Sequence, residues 1–377
     1  MACRGGLLRQ GGPGPGSGAG ARGRGQRPRP AGPRGRRAGA RGRGPGRAGA
    51  GHAHGPRARA GWLGRVARGA AVTGSRPPDP RQAAHAPYTL VCDPGIDDLV
   101  ALLVLCGAGS PPSAVVATAG NTGLAASVRN AAGLHALLEL DRLAVPLIEG
   151  TGSSLAGPYP GQGLDIHGAD GVGGTAGRLP GPRVAAAPFA PEALRGRLLV
   201  TSPLTPVAHA LRAGHRPEVT WMGGAWEADG NATPVAEFNA WLDAEAADEV
   251  LRSPPTSVVV PLDVTDRVTW SSTDLDAFAA LGGPGLLTAR ACRRLVLDGP
   301  TSLPDVVAAT AFLWPGLFRW RSLAASCVTA HGALRGMTEC VPSGRPTASV
   351  AVDVNAAGVR RAVSACLATL AATVPEV

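Results

Sequence analysis

The sequence contains no lysine: all 37 of its basic residues are arginine. It holds few aromatic residues, seven Trp, two Tyr and five Phe in 377, and only Trp62 precedes Tyr88. No run reaches the ~18 apolar residues a membrane span requires, and no apolar stretch follows the first arginines as a signal peptide demands. A membrane partner is therefore not expected, and the expected location is the cytoplasm. The seven cysteines (Cys3, Cys92, Cys106, Cys292, Cys327, Cys340 and Cys366) are odd in number, scattered and free of CxxC pairs. That pattern implies neither a disulfide framework nor a zinc site, and buried thiols are the expectation.

Acidic residues are almost missing from one end. Residues 1–85 hold 18 of the 37 arginines and one of the 27 acids, Asp79, so they carry +17 and the remainder −7. The formal charge of +10 thus belongs to the tail, and the rest of the chain is acidic. Residues 1–85 are built from Gly, Arg, Pro and Ala and lack the apolar side chains that offset ordering entropy, so disorder is expected. An arginine-rich RNA-binding segment is a second reading, but stacking on bases needs aromatic rings that this stretch lacks, and nucleic acid is not an expected partner. A third is a start-site artefact, because non-coding sequence upstream of a very GC-rich gene translates into the same residues.

From Tyr88 the pattern changes. YTLVC (88–92), SAVVATA (113–119), VPLIE (145–149), RLLVTS (197–202), VTWMGG (219–224) and SVVVPLDV (257–264) are nearly continuous apolar runs, as expected of strands covered on both faces. Helical stretches are expected at 99–106, 125–138, 272–296, 304–313 and 355–373, with a hairpin across 326–353. Alternation of strand and helix predicts an α/β domain over 86–377, with a mainly parallel, doubly wound sheet flanked by helices. Ligands of such sheets bind beyond the carboxyl ends of the strands. Polar residues interrupt the apolar pattern there: Asp93, Asn121, Ser202 to Thr205, and Asp263.

The stretch CDPGIDDLVALLVL (92–105) sets three aspartates against an apolar run. Asp97 reads as a helix cap and Asp98 as a first-turn acid favoured by the helix dipole. Asp93 is left unexplained, since it would repel both unless a proton or cation intervened. Clustered hard oxygen ligands suit Ca²⁺ or Mg²⁺; capping alone and a phosphoryl-accepting aspartate remain as alternatives.

The run DPGIDD after a strand resembles the signature of the inosine-uridine-preferring nucleoside hydrolases. Further pieces follow in that family's order: AGN (119–121), HGADGVGG (167–174), SPLTP (202–206), MGG (222–224), GN...EFNAWLDAEAA (230–247), PLDVT (261–265), LPDVVA (303–308) and RGMT (335–338). The resemblance spans roughly 88–374. It implies hydrolysis of the N-glycosidic bond of ribonucleosides in nucleoside salvage, with Ca²⁺ beneath a ribose pocket, in a dimer or tetramer. Asp93, Asp98 and Asp305 match metal-binding aspartates, and Thr205 matches a residue ligating through its carbonyl. Asp97 matches an aspartate bonded to the ribose hydroxyls. Asn121, Asn231, Glu237 and Asn239 match ribose-binding residues, with Phe238 between the last two. His167 lies in a segment, 165–174, that matches a mobile loop closing over the nucleoside. Asp93 is then the expected general base.

The chain departs from the family pattern at four places. Val91 stands where members carry another Asp, Pro206 where they have Asn, Ala244 where they have Pro, and Pro304 where many have a His able to protonate the departing base. Trp226, Trp241, Trp314 and His331 are the conceivable substitutes for that His. Val91 and Pro304 motivate an alternative, a nucleoside- or ribose-binding protein of the same fold that has lost turnover.

Overall fold

The computed structural model describes residues 86–342 and 344–374. Residues 1–85, with the disorder expected of them, lie outside the described residues. The main sheet contains β1 (Tyr88–Cys92), β2 (Ala114–Ala117), β3 (Leu147–Glu149), β4 (Ala187–Pro188), β5 (Arg197–Val200), β6 (Glu218–Met222) and β7 (Ser257–Val260); β8 (Thr269–Trp270) and β9 (Thr301–Ser302) form a separate ribbon; and β10 (Phe318–Cys327), β11 (Thr338–Val341) and β12 (Ala348–Val354) complete the main sheet. The helices are α1 (Ile96–Gly107), α2 (Leu124–Leu137), α3 (Leu164–His167), α4 (Thr205–Arg212), α5 (Phe238–Leu242), α6 (Ala244–Arg252), α7 (Leu262–Thr265), α8 (Ser272–Ala279), α9 (Gly283–Cys292), α10 (Pro304–Leu313) and α11 (Ala356–Ala371).

The strand order is β11-β10-β12-β7-β6-β5-β1-β2-β3-β4. Neighbours from β12 to β4 pair in parallel, and only β10 runs against its neighbours. The chain winds outward from β1 through β2 and β3, then returns to β5 on the other side of β1 and winds away through β6 and β7. The topological switch point therefore lies between β1 and β5, where a ligand crevice opens in doubly wound sheets.

The strands bury both faces. Leu90 and Cys92 pack into one apolar cluster with α1, α10 and α11, while Val91 between them packs into a second with α4 and α6. This two-sided burial explains why the strands read as unbroken apolar runs rather than as alternating ones. Among the described residues, no helix is long and apolar enough to cross a membrane.

The structure corrects three expected boundaries. The strand expected at 257–264 stops at Val260, because Pro261 has no N–H for the ladder and caps α7 instead. The helix expected over 272–296 divides into α8 and α9, with Pro284 opening the second, where a missing N–H is harmless. The hairpin expected at 326–353 is part of a three-stranded arrangement in which the ten-residue β10 pairs with both β11 and β12. The cysteines Cys92, Cys106, Cys292, Cys327, Cys340 and Cys366 are free, and burial pushes the Cys106 thiol up to about 12; Cys3 lies outside the described residues.

Candidate active site

Asp93 leaves the carboxyl end of β1 and is fully buried. Its Oδ2 accepts the main-chain N–H of Asn121 at 2.7 Å, while its Oδ1 is buried without a hydrogen-bond partner. Gly120 makes this approach possible, since a Cβ there would run into the Asp93 carboxylate. Gly95 at the head of α1 has a similar role: a Cβ would lie 2.5 Å from Asn121 Nδ2 and 2.7 Å from His167 Nδ1.

Asp98 acts as the first-turn acid of α1, accepting the Gly95 N–H at 2.9 Å. It does more than cap, because the same Oδ2 also accepts the Asn121 side-chain amide at 3.3 Å and its Oδ1 accepts the Thr201 hydroxyl at 2.7 Å. Asp305, in the first turn of α10 and buried, arrives from more than 200 residues away. Carboxylate oxygens of Asp97, Asp98 and Asp305 lie within 4.8 Å of one another. Two helix N-termini, of α1 and α10, thus meet at the switch point, and their dipoles favour negative charge there.

The charges crowd each other. Burial, then the Asp98 charge, holds Asp93 well above the usual carboxylate range, and burial, then Asp97, does the same to Asp305. Burial and the Asp97 charge push Asp98 up to about 7. Together with the unpartnered Asp93 Oδ1 and Asp97 Oδ1, this is the state of a site in which a cation would remove both the repulsion and the unmet hydrogen-bonding capacity. The donors are hard oxygens, of the kind that suits Ca²⁺ or Mg²⁺.

Above the cluster opens a cavity of about 580 Å³, within the range of small-molecule sites. Asp97 and Asp305 reach it, with Asn121, Asn231 and Asn239 along its sides. Glu237 caps α5, accepting N–H groups of Asn239 (2.8 Å), Ala240 (3.0 Å) and Gly224 (3.1 Å); burial nevertheless raises its carboxyl to about 7. Asn231 accepts the Phe238 N–H at 2.8 Å, and Asn239 donates to the Met222 carbonyl at 3.2 Å. Phe238 lines the cavity, its ring centroid 6.3 Å from that of Trp241.

His167 closes α3 and also lines the cavity. Its Nδ1 accepts the Ile96 N–H at 3.0 Å, which leaves the ring proton on Nε2. The 3.9 Å approach to Asp97 is therefore not a hydrogen bond from Nδ1. Burial lowers the imidazole pKa against the upward pull of Asp97. The segment that carries His167 is pinned from outside by Arg294, which donates to the Asp165 carbonyl at 2.8 Å.

The Thr205 side chain does not reach the cluster. It begins α4, and its hydroxyl donates to Asp243 Oδ2 at 2.6 Å and meets the Tyr159 hydroxyl at 3.0 Å, away from the cavity. Thr201, four residues earlier and directly beyond β5, occupies the rim: it lines the cavity and bonds Asp98, and its carbonyl lies 3.4 Å from the Asn239 amide. Its place at the end of a strand beside the switch point was the available signal. Asp263 is also structural, its carboxylate accepting the N–H groups of Trp226, Glu227 and Ala228. Among the four residues considered as replacements for a proton donor at Pro304, Trp241 lines the cavity, Trp314 is part of the apolar core and His331 is exposed.

A doubly wound α/β fold with a carboxylate-floored cavity at its switch point places the protein among fold relatives of known hydrolases. The plant nucleoside hydrolase PpNRh1 superposes with a TM-score of 0.69 at 26% identity, covering 76% of this chain and 99% of that one. The model of the inosine-uridine preferring nucleoside hydrolase family matches residues 89–361, and the chain belongs to that family. The pyrimidine-specific ribonucleoside hydrolase RihA of Enterobacter sp. (strain 638) is 35% identical over 219 residues, 52% of this chain and 66% of that protein. A probable uridine nucleosidase 2 of Oryza sativa subsp. japonica is 34% identical over 203 residues, 48% of this chain and 58% of the relative. The matched part thus spans somewhat under two-thirds of the length of these curated relatives.

The raised carboxyl pKa values determine how the metal-free protein responds to pH. Unfolded Asp and Glu titrate near 4, and the folded Asp98 and Glu237 near 7. Between those values the folded state holds more protons than the unfolded one, so stability falls as pH rises through the window. Melting of chelator-treated protein is expected to drop by about 5 °C or more between pH 5 and 8, and millimolar calcium at pH 8 is expected to restore it. A melting temperature that rises over that range would contradict the crowding described above.

Proposed function

We propose that the protein hydrolyses the N-glycosidic bond of ribonucleosides, pyrimidine nucleosides among them, to free base and ribose, with Ca²⁺ as its resident ion. The observation that carries this reading is the convergence of buried, partly unpartnered carboxylates on the floor of a nucleoside-sized cavity, in a member of this family. Asp93, Asp98 and Asp305 would hold the ion, with Thr201 offering a main-chain oxygen in place of Thr205. When bound, the ion supplies positive charge that engages sugar hydroxyls and makes a water molecule more acidic.

Asp93 is the general base: one of its oxygens is fixed by Asn121 and the other is free to take the water's proton. Asp97, with its unpartnered Oδ1, accepts a ribose hydroxyl, and Asn239, Asn231 and Glu237 line the rest of the sugar. As the bond to the base breaks, positive charge grows on the ribose ring, and the surrounding fixed carboxylates and amide dipoles stabilise it in a site shielded from water. Pro304 has no proton for the leaving base, and this is the observation that favours binding without turnover as the second reading. Incubating the calcium-loaded protein with uridine, cytidine, inosine and adenosine and assaying free ribose decides between them. Release above that of an Asp97→Ala control supports hydrolysis; calcium-dependent binding without release supports the second reading.

Arg294 contributes by holding the segment that carries His167. This hydrogen bond is exposed and worth about 0.5–1 kcal/mol, so Arg294→Ala is expected to raise KM about two- to fivefold while kcat changes less. An unchanged KM would show that the segment closes without this contact.

A further inference from the structure

The wall of the cavity between α7 and α10 has an uneven hydrogen-bonding character. Asp266, just after α7, lines the cavity, and so does Ser302 of β9. Pairing of β8 with β9, Thr269 opposite Ser302, fixes Ser302 beside Asp266. The Ser302 hydroxyl donates to Asp266 Oδ1 at 3.1 Å. Its only proton is thereby committed, so what faces the cavity is a pair of acceptors: the remaining carboxylate oxygen and the lone pairs of the serine oxygen.

No basic side chain forms an ion pair with Asp266 among the described residues. The adjacent Arg267 turns to Asp353 at 3.2 Å, and Asp263 is engaged with main-chain N–H groups. Exposure rises along this wall from buried Asp305 through half-buried Ser302 to exposed Asp266, so the acceptor pair lies on the mouth side of the carboxylate cluster. With the sugar at the cluster, that is the end left for the base.

We infer that Asp266 and Ser302 read the nucleobase and select bases with an exocyclic amino group, so that cytidine is favoured over uridine and adenosine over inosine. This rests on the proposed reading of the cavity as a nucleoside site. One amino group carries two N–H donors and satisfies two neighbouring acceptors together. The corresponding edge of uracil alternates carbonyl, N–H and carbonyl, so an acceptor that meets its N–H sets the second acceptor against a carbonyl. Leaving such groups mismatched weakens recognition about tenfold at a partly exposed position.

The test compares cytidine with uridine twice on the full-length calcium-loaded protein: as kcat/KM, and as calorimetric affinity for the carbocyclic analogues of the two nucleosides, whose bond to the base is not hydrolysed. The expected result is a preference for cytidine of about tenfold or more. Asp266→Asn, which keeps the shape and adds a donor, is expected to reduce that preference at least tenfold, and Ser302→Ala to reduce it less. Unchanged melting temperatures of both variants establish that they fold. Equal affinities for the two nucleosides, binding of neither, or a preference that survives Asp266→Asn overturns the inference. Failure of the proposed function gives a different pattern, with no nucleoside hydrolysed while the affinity ratio is still measurable.

Discussion

Asp93→Asn is expected to lower kcat for nucleoside hydrolysis by a factor of about 10³ or more without unfolding the protein. Loss of a positioned general base removes ~10²–10⁴-fold, and this substitution also takes one charge from the set that would hold the ion. The fold is expected to survive because the isosteric amide keeps an acceptor for the Asn121 N–H. Metal-free protein should in fact become more stable at pH 8, since one of the mutually repelling buried carboxylates is gone. A purified variant with near-normal kcat would remove Asp93 from the mechanism, and one that fails to fold would point to a structural role.

Chelation is expected to have the second large effect. With the ion removed, hydrolysis should fall to the level of the Asp93→Asn variant and return on adding calcium. Magnesium should restore it less well, since it demands a tight octahedral shell while calcium accepts a larger, irregular set of oxygens. Melting should shift with activity: at a calcium concentration a hundred times the dissociation constant, linkage stabilises the folded state by ~2.7 kcal/mol. Full activity in excess chelator would separate the acidic cluster from the chemistry.

Both effects depend on placements that the sequence reveals unevenly. The limits of β1, Tyr88 and Cys92, are legible because a strand buried on both faces reads as an unbroken apolar run. Asp93, Asp97 and Asp98 are legible as a group because they are neighbours along the chain. Asp305 is different: alone, it looks like any first-turn helix acid, and only the winding of the sheet brings α10 to the head of α1. The ordered motifs linked it to the cluster where spacing alone did not.

Thr205 and Thr201 show where such reading runs out. Both follow β5 within five residues, and the choice between them depends on where the chain stops being a strand and turns into α4. That turn is set by packing of α4 against α6 and by the Thr205–Asp243 hydrogen bond, neither of which leaves a local trace. Asp266 and Ser302 were equally hidden, since their pairing depends on a two-residue ribbon, β8 with β9, too short to register as a periodic pattern. Trp314 and Trp241 look alike as aromatic candidates along the chain, yet one is core and the other cavity wall.

The most direct test of the whole account is calorimetric titration of calcium into chelator-stripped, desalted protein at pH 7.5. One saturable site is predicted, with protons released on binding because the crowded carboxyls must ionise, and with binding lost in Asp98→Asn and Asp305→Asn proteins that remain folded. Absence of binding at millimolar calcium, or binding that both substitutions leave intact, would contradict it.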